Sequence, residues 1–158
     1  MSYSRQVSQA LDEEHRANLE LLGRAERAFT RSGDPEQPAI AGQLVRHLEH
    51  EIDRHFSFEE QQLFPRMSEA GDGDLATLLT EEHDTVREVA AELLPLARAA
   101  AAGTMAAADA PTLKRLVLEI VERQVAHIQK ETMSLLPMLD DLLDDDTDRE
   151  LAFAYAAG

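Results

Sequence analysis

Residues 11–15 read LDEEH, and residues 55–65 read HFSFEEQQLFP. Residues 79–83, LTEEH, and residues 127–137, HIQKETMSLLP, repeat that pair in the same order. Each copy sets Leu-x-Glu-Glu-His about 40 residues ahead of His-x-x-x-Glu, and a proline follows each His-x-x-x-Glu at one offset, Pro65 or Pro137. Residues four apart point to nearly the same side of a helix. His55 with Glu59, and His127 with Glu131, therefore each present a nitrogen and an oxygen together. A polar side chain on an apolar helical stripe is costly unless something pairs with it. His15 is bracketed by Leu11 and Leu19, and His83 by Leu79 and Val86. Four histidines and two carboxylates in a duplicated arrangement point to a ligand set for two transition-metal ions: His15, His55, Glu59, His83, His127 and Glu131.

Outward from these motifs the spacing is helical. Glycine and proline punctuate the chain at Ser32–Pro35, Gly71–Asp74 and Gly103–Pro111. Between these breaks run four apolar stripes: Val7, Leu11, Leu22 and Phe29; Ile40, Leu44, Leu48, Ile52 and Leu63; Leu75, Leu79, Val86 and Leu94; Leu113, Val117, Ile120 and Leu135. Nothing alternates like a strand, and β-branched and aromatic residues are sparse. Four long helices with short connections predict an all-α fold, an antiparallel up-down four-helix bundle. A kink or early end is expected near Pro65 and Pro95. The whole chain, 1–158, reads as one domain, with the bundle over about 4–143 and an acidic tail over about 144–158. Within the tail, Thr147 to Tyr155 reads as a short fifth helix.

Height along the rods is a separate check. With turns centred near residues 34, 72 and 106, the six candidate ligands come to one level with mismatches near 3 Å, at roughly 1.5 Å per residue. His47 and Glu51 also form His-x-x-x-Glu, but His47 sits about 9 Å off the level of His15 by the same count. His47 and His50 are therefore expected on the surface or behind the ligands, and Glu51 one turn before His55, outside the ligand set. Phe56, Phe58, Phe64 and Met133 are expected in the apolar core around the site.

Composition removes other chemistries. With no cysteine among 158 residues, disulfides, thiolate zinc sites and iron–sulfur ligation are excluded. A formal net charge of −16 argues against nucleic acid, because phosphate binding needs a basic surface. The acidic run Asp140–Asp146 lacks the glycine and alternation of a calcium-binding helix–loop–helix and reads as a solvated helix end. No stretch resembles a signal peptide or approaches the roughly 18 apolar residues of a membrane span, so a cytoplasmic protein with no membrane partner is expected. Imidazole with carboxylate suits iron or manganese; zinc fits the ligand types less specifically.

At these residues the chain resembles the hemerythrin-like family of histidine-histidine-glutamate domains, over about Leu11 to Leu139. The resemblance implies a non-haem di-iron centre, two iron ions inside the bundle. His15, His55, His83 and His127 would be terminal ligands, and Glu59 and Glu131 would bridge. Oxygen-carrying members use five histidines, two of them on the third helix. Here Leu79 and Arg87 stand one turn either side of His83, and neither replaces the missing ligand. Four histidines with two glutamates are similar instead to bacterial iron–sulfur repair proteins and to the iron-sensing domain of a ubiquitin ligase subunit. The function expected is binding or sensing of a small diatomic ligand, dioxygen or nitric oxide, or of iron. The alternative is a di-iron oxidase or peroxide-consuming enzyme; a redox partner is left open.

Overall fold

The computed structural model describes residues 3–158, the side chain of Glu51 excepted. The fold is all-α, with no strand among the described residues. Helix α1 (Gln6–Thr30) is followed by a second rod built of α2 (Gln37–Arg46), α3 (Ile52–Phe58) and α4 (Phe64–Glu69), joined by π-helical turns at His47–Glu51 and Glu59–Leu63. Helix α5 (Gly73–Ala102) is the third rod. The fourth is α6 (Ala110–Met133), which passes into α7 (Leu135–Leu142) at Ser134. Helix α8 (Asp145–Ala157) completes the chain. Each rod packs on two others: α1 on α2 and α6, α5 on α2, α4 and α6.

The breakers act where expected. Gly71 and Gly103 have φ of 98° and 73°, left-handed values that a side chain rarely tolerates. At Gly103 the turn is closed by Gly103 N–H donating to Ala100 and Thr104 N–H donating to Ala99. The prolines behave differently from expectation. Pro95 lies inside α5, which runs on to Ala102 without an early end. Pro65 falls in the first turn of α4, where no intrahelical donor is required, and the π turn just before it absorbs the disturbance.

Two apolar clusters divide the interior. One gathers Leu22, Phe29, Ile40, Leu44, Leu93, Val117 and Ile120. The other gathers Val7, Leu11, Leu63, Met67, Leu79, Leu135 and Leu136. On every rod the predicted ligands fall in sequence between members of the two, so a polar layer is set across the middle of an otherwise apolar core. At about 25 cal/mol per Å² of buried apolar surface, these two clusters drive the packing that holds the polar layer in place.

Helix α8 is longer than the segment Thr147–Tyr155 expected from sequence, and it docks on α1. Asp144 caps it by accepting from Thr147 N–H at 2.7 Å. Asp148, only 4% exposed, accepts from the N–H groups of Gln6 at 2.9 Å and Val7 at 3.0 Å. Helix α1 has no cap from its own flanking residue Arg5, so the C-terminal helix supplies the anion that its exposed amide ends require. The run Asp140–Asp146 is exposed at its aspartates, as expected. Among the described residues no helix is long and apolar enough to cross a membrane.

Candidate metal centre

All six predicted ligands are buried, none more than 5% exposed, and they converge at one place. His15 comes from α1, His55 from α3, and Glu59 from the first position of the π turn that follows. His83 comes from α5, and His127 and Glu131 from α6. Their donor atoms form two overlapping groups, His15–His55–Glu59–Glu131 and Glu59–His83–His127–Glu131, and within each group all ligand atoms lie within 4.8 Å of one another.

The two glutamates divide their oxygens between the histidine pairs. Glu131 Oε1 lies 3.1 Å from His15 Nε2, while Glu131 Oε2 lies 3.1 Å from His127 Nε2. Glu59 Oε2 lies 3.2 Å from His55 Nε2, while Glu59 Oε1 lies 3.1 Å from His83 Nε2. Four of these atoms, Glu59 Oε1, Glu131 Oε2, His83 Nε2 and His127 Nε2, are buried and have no hydrogen-bond partner despite the short separations. The atoms are close but are not aimed along a shared proton. Buried polar groups without partners are rare because each costs about 1–3 kcal/mol. Nitrogen and oxygen donors crowded together without hydrogen-bond partners are what a cation satisfies, so the residues present fit bound metal.

Outward, each histidine is held by its other nitrogen. His55 Nδ1–H donates to Glu14 Oε2 at 2.9 Å, His127 Nδ1–H to Glu82 Oε1 at 2.7 Å, and His83 Nδ1–H to Glu60 Oε2 at 2.7 Å. His15 Nδ1 faces the Thr132 hydroxyl at 3.1 Å. The carboxylates are anchored in turn: Glu14 by Arg54 at 2.8 Å and by the Tyr155 hydroxyl, Glu60 by two bonds from Arg87, and Glu82 by Lys130. An outer acceptor fixes the ring orientation and makes the inward nitrogen a better donor to a metal.

The electrostatics follow from this crowding. Burial alone would favour neutral imidazoles, but the nearby carboxylates of Glu131 and Glu59 carry His83 up to about 9. Burial is likewise outweighed at His55, raised well above its usual value by the charge of Glu59, the nearby Glu131 carboxylate and the bond to Glu14, and at His127, raised by Glu131. Against its own burial, Glu131 is held well below the usual carboxylate range by His127, His15 and His55. In the metal-free protein, positive charge on His55, His83 and His127 and negative charge on Glu131 favour one another.

Aromatic packing closes the sides. The Phe56 ring stacks on His83 with centroids 3.7 Å apart and planes 2° from parallel, and Phe64 lies 5.4 Å from His83. Phe58 packs instead on Tyr155 at 4.7 Å. Met133 corrects the expectation of an apolar surround: it is 81% exposed. It is the last residue of α6, on the outer side just before the break at Ser134.

His50 is exposed as expected, and the side chain of Glu51 lies outside the described residues. His47 is buried at 4% exposure, outside the two ligand groups, with Nε2–H donating to Gln124 Oε1 at 2.8 Å. The residues that sequence reasoning missed are Glu14, Glu60, Glu82, Thr132, Tyr155 and Gln124. A signal for two of them was available, because Glu14 and Glu82 are the same position of the repeated Leu-x-Glu-Glu-His.

The match to the hemerythrin HHE cation-binding domain runs over residues 6–139, through every helix that supplies a candidate ligand. The chain belongs to the hemerythrin HHE cation-binding family. Helix α8, which caps α1 and carries Tyr155, lies beyond the matched region. Comparison with curated proteins gave no match. As a hemerythrin HHE domain with a buried His/Glu cluster, the chain is a metal-binding protein.

Proposed function

We propose that the chain is a non-haem di-iron protein, an antiparallel up-down four-helix bundle that binds or senses a small diatomic ligand, dioxygen or nitric oxide. One observation carries the reading: Glu59 and Glu131 each turn one oxygen toward His15 and His55 and the other toward His83 and His127. A carboxylate so divided suits a bridge between two cations, and two imidazoles are left for each metal. Sulfur-free nitrogen and oxygen donors in a bundle core favour iron or manganese.

When bound, reduced iron supplies electrons and open coordination positions to a small ligand. The chain does the rest. Glu14, Glu82 and Glu60 orient His55, His127 and His83. Phe56, Phe64, Leu11, Leu63 and Leu79 keep bulk water away. Beside His15 and His55 the space amounts to about 20 Å³, room for one water-sized molecule and none for an organic substrate. That size favours ligand binding over oxidation of a large substrate, and leaves peroxide as the substrate of an enzymatic variant of the same reading.

The test is anaerobic reconstitution with ferrous iron, followed by air or nitric oxide with absorbance recorded. Two irons per chain and a stable, stoichiometric spectral change support ligand binding. Sustained consumption of hydrogen peroxide would move the assignment to an enzyme, and failure to hold iron would refute both.

A further inference from the structure

The small cavity beside the cluster carries a polar pair that the six ligands do not explain. Its lining includes His15, His55 and Glu131 together with His47 and Gln124. Gln124 is 4% exposed. Its Oε1 accepts from His47 Nε2–H at 2.8 Å, which fixes the amide and leaves Nε2 as the end not used by His47. Gln124 Nε2 is buried and has no hydrogen-bond partner.

A buried amide donor without an acceptor is destabilising, and apolar side chains of similar size would avoid that cost. Packing alone therefore does not account for glutamine here. The neighbouring members of the same apolar cluster on α6, Val117, Ile120, Val121 and Ile128, show what the position otherwise calls for. The π turn at His47–Glu51 brings His47 against α6, so two rods cooperate to hold an unpartnered amide at the wall of a space the size of a single small molecule.

We propose that Gln124 is the donor that recognises the outer atom of a small ligand whose inner atom lies against His15, His55 and Glu131, with His47 as the positioning residue that holds the amide in that orientation. The ligand class is a diatomic or similarly small molecule carrying negative charge on its outer atom. This inference rests on the metal-centre reading above and adds to it the group that selects the ligand.

The probe is nitric oxide, added anaerobically to the ferrous-loaded wild-type chain and to the Gln124→Leu and Gln124→Glu variants. Iron content, the N–O stretching frequency and the nitric oxide dissociation rate are measured. Both variants are expected to keep the wild-type iron content, since Gln124 is not among the six ligands. Loss of one neutral hydrogen bond predicts dissociation faster by about 3- to 10-fold. The stretch is expected to move to higher frequency in Gln124→Leu. In the metal-free form Gln124→Leu is expected to melt no lower than wild type, which excludes misfolding as the cause. Unchanged stretch and dissociation rate with iron retained would overturn the pocket alone and assign the amide to a resident water. Loss of iron in Gln124→Leu would also overturn it, placing the glutamine with the metal ligands. A wild-type chain that takes up no iron would overturn the metal centre and this proposal together.

Discussion

Thr132 Oγ1 lies 3.1 Å from His15 Nδ1, in the place where each of the other three histidines meets a glutamate. The internal repeat explains why this is an asymmetry. Glu131 and Thr132 stand in the second copy where Glu59 and Glu60 stand in the first, so the hydroxyl replaces a carboxylate. The pair His83 and His127 thus has two charged outer acceptors, while the pair His15 and His55 has one.

Charged acceptors strengthen the imidazole as a donor, so the two metal positions are expected to differ in affinity, with the His83/His127 side tighter. Titration of the metal-free chain with ferrous iron should resolve two steps. Glu60→Gln or Glu82→Gln should weaken the tighter step by about 10- to 100-fold, and Thr132→Val should leave it unaltered. A single step that none of these substitutions changes would contradict the asymmetry.

Stability of the metal-free chain should fall on the alkaline side. His83 is raised from 6.5 to about 9, and His55 and His127 are raised as well. A raised histidine contributes stability that is complete below the unfolded value of 6.5 and is lost as pH rises through the folded value. Melting temperature in chelator should therefore decline between pH 6.5 and about 9. Metal binding requires deprotonated imidazoles, so uptake should release protons and tighten over the same window. Calorimetry in buffers of different ionisation enthalpy counts those protons. A flat melting profile with no proton release would contradict the charge balance described for the cluster.

The double substitution His55→Leu with His127→Leu separates a metal-binding core from a merely helical one. The wild-type chain should gain about 2.7 kcal/mol at a metal concentration 100-fold above its Kd. The double variant should remain helical and show no metal-dependent rise in melting temperature. An equal rise in both would place the metal elsewhere.

Asp148→Ala should lower stability by about 2 kcal/mol, because it removes a charged acceptor from one buried and one half-buried amide at the start of α1. Chemical denaturation measures the loss. Iron content should not change, since Asp148 touches none of the candidate ligands. A neutral effect would mean that the α8 contact does not cap α1.

The rods and the six clustered residues could be read from the sequence because both repeat at helical spacing. The residues around them could not. Glu60 adjoins Glu59 and Thr132 adjoins Glu131, so each points about 100° around the helix from the inward stripe and resembles a solvent-facing side chain until the neighbouring rod is in place. His47 lies outside both groups of candidate ligands, and its burial depends on a π turn that 3.6-residue counting does not anticipate. Asp148 has backbone partners at the far end of the chain, and no side-chain motif advertises such a contact. Met133 stands two residues after Glu131, about 200° around α6 from the inward stripe, so it faces solvent just before the break at Ser134.

The most direct test is an anomalous-scattering map, recorded at the iron edge, of a crystal grown from ferrous-loaded protein. Two peaks are predicted, one against His15 and His55 and one against His83 and His127, with Glu59 and Glu131 reaching both. A single peak, or iron held by the surface aspartates 140–146 with the buried cluster unchanged, would contradict the account.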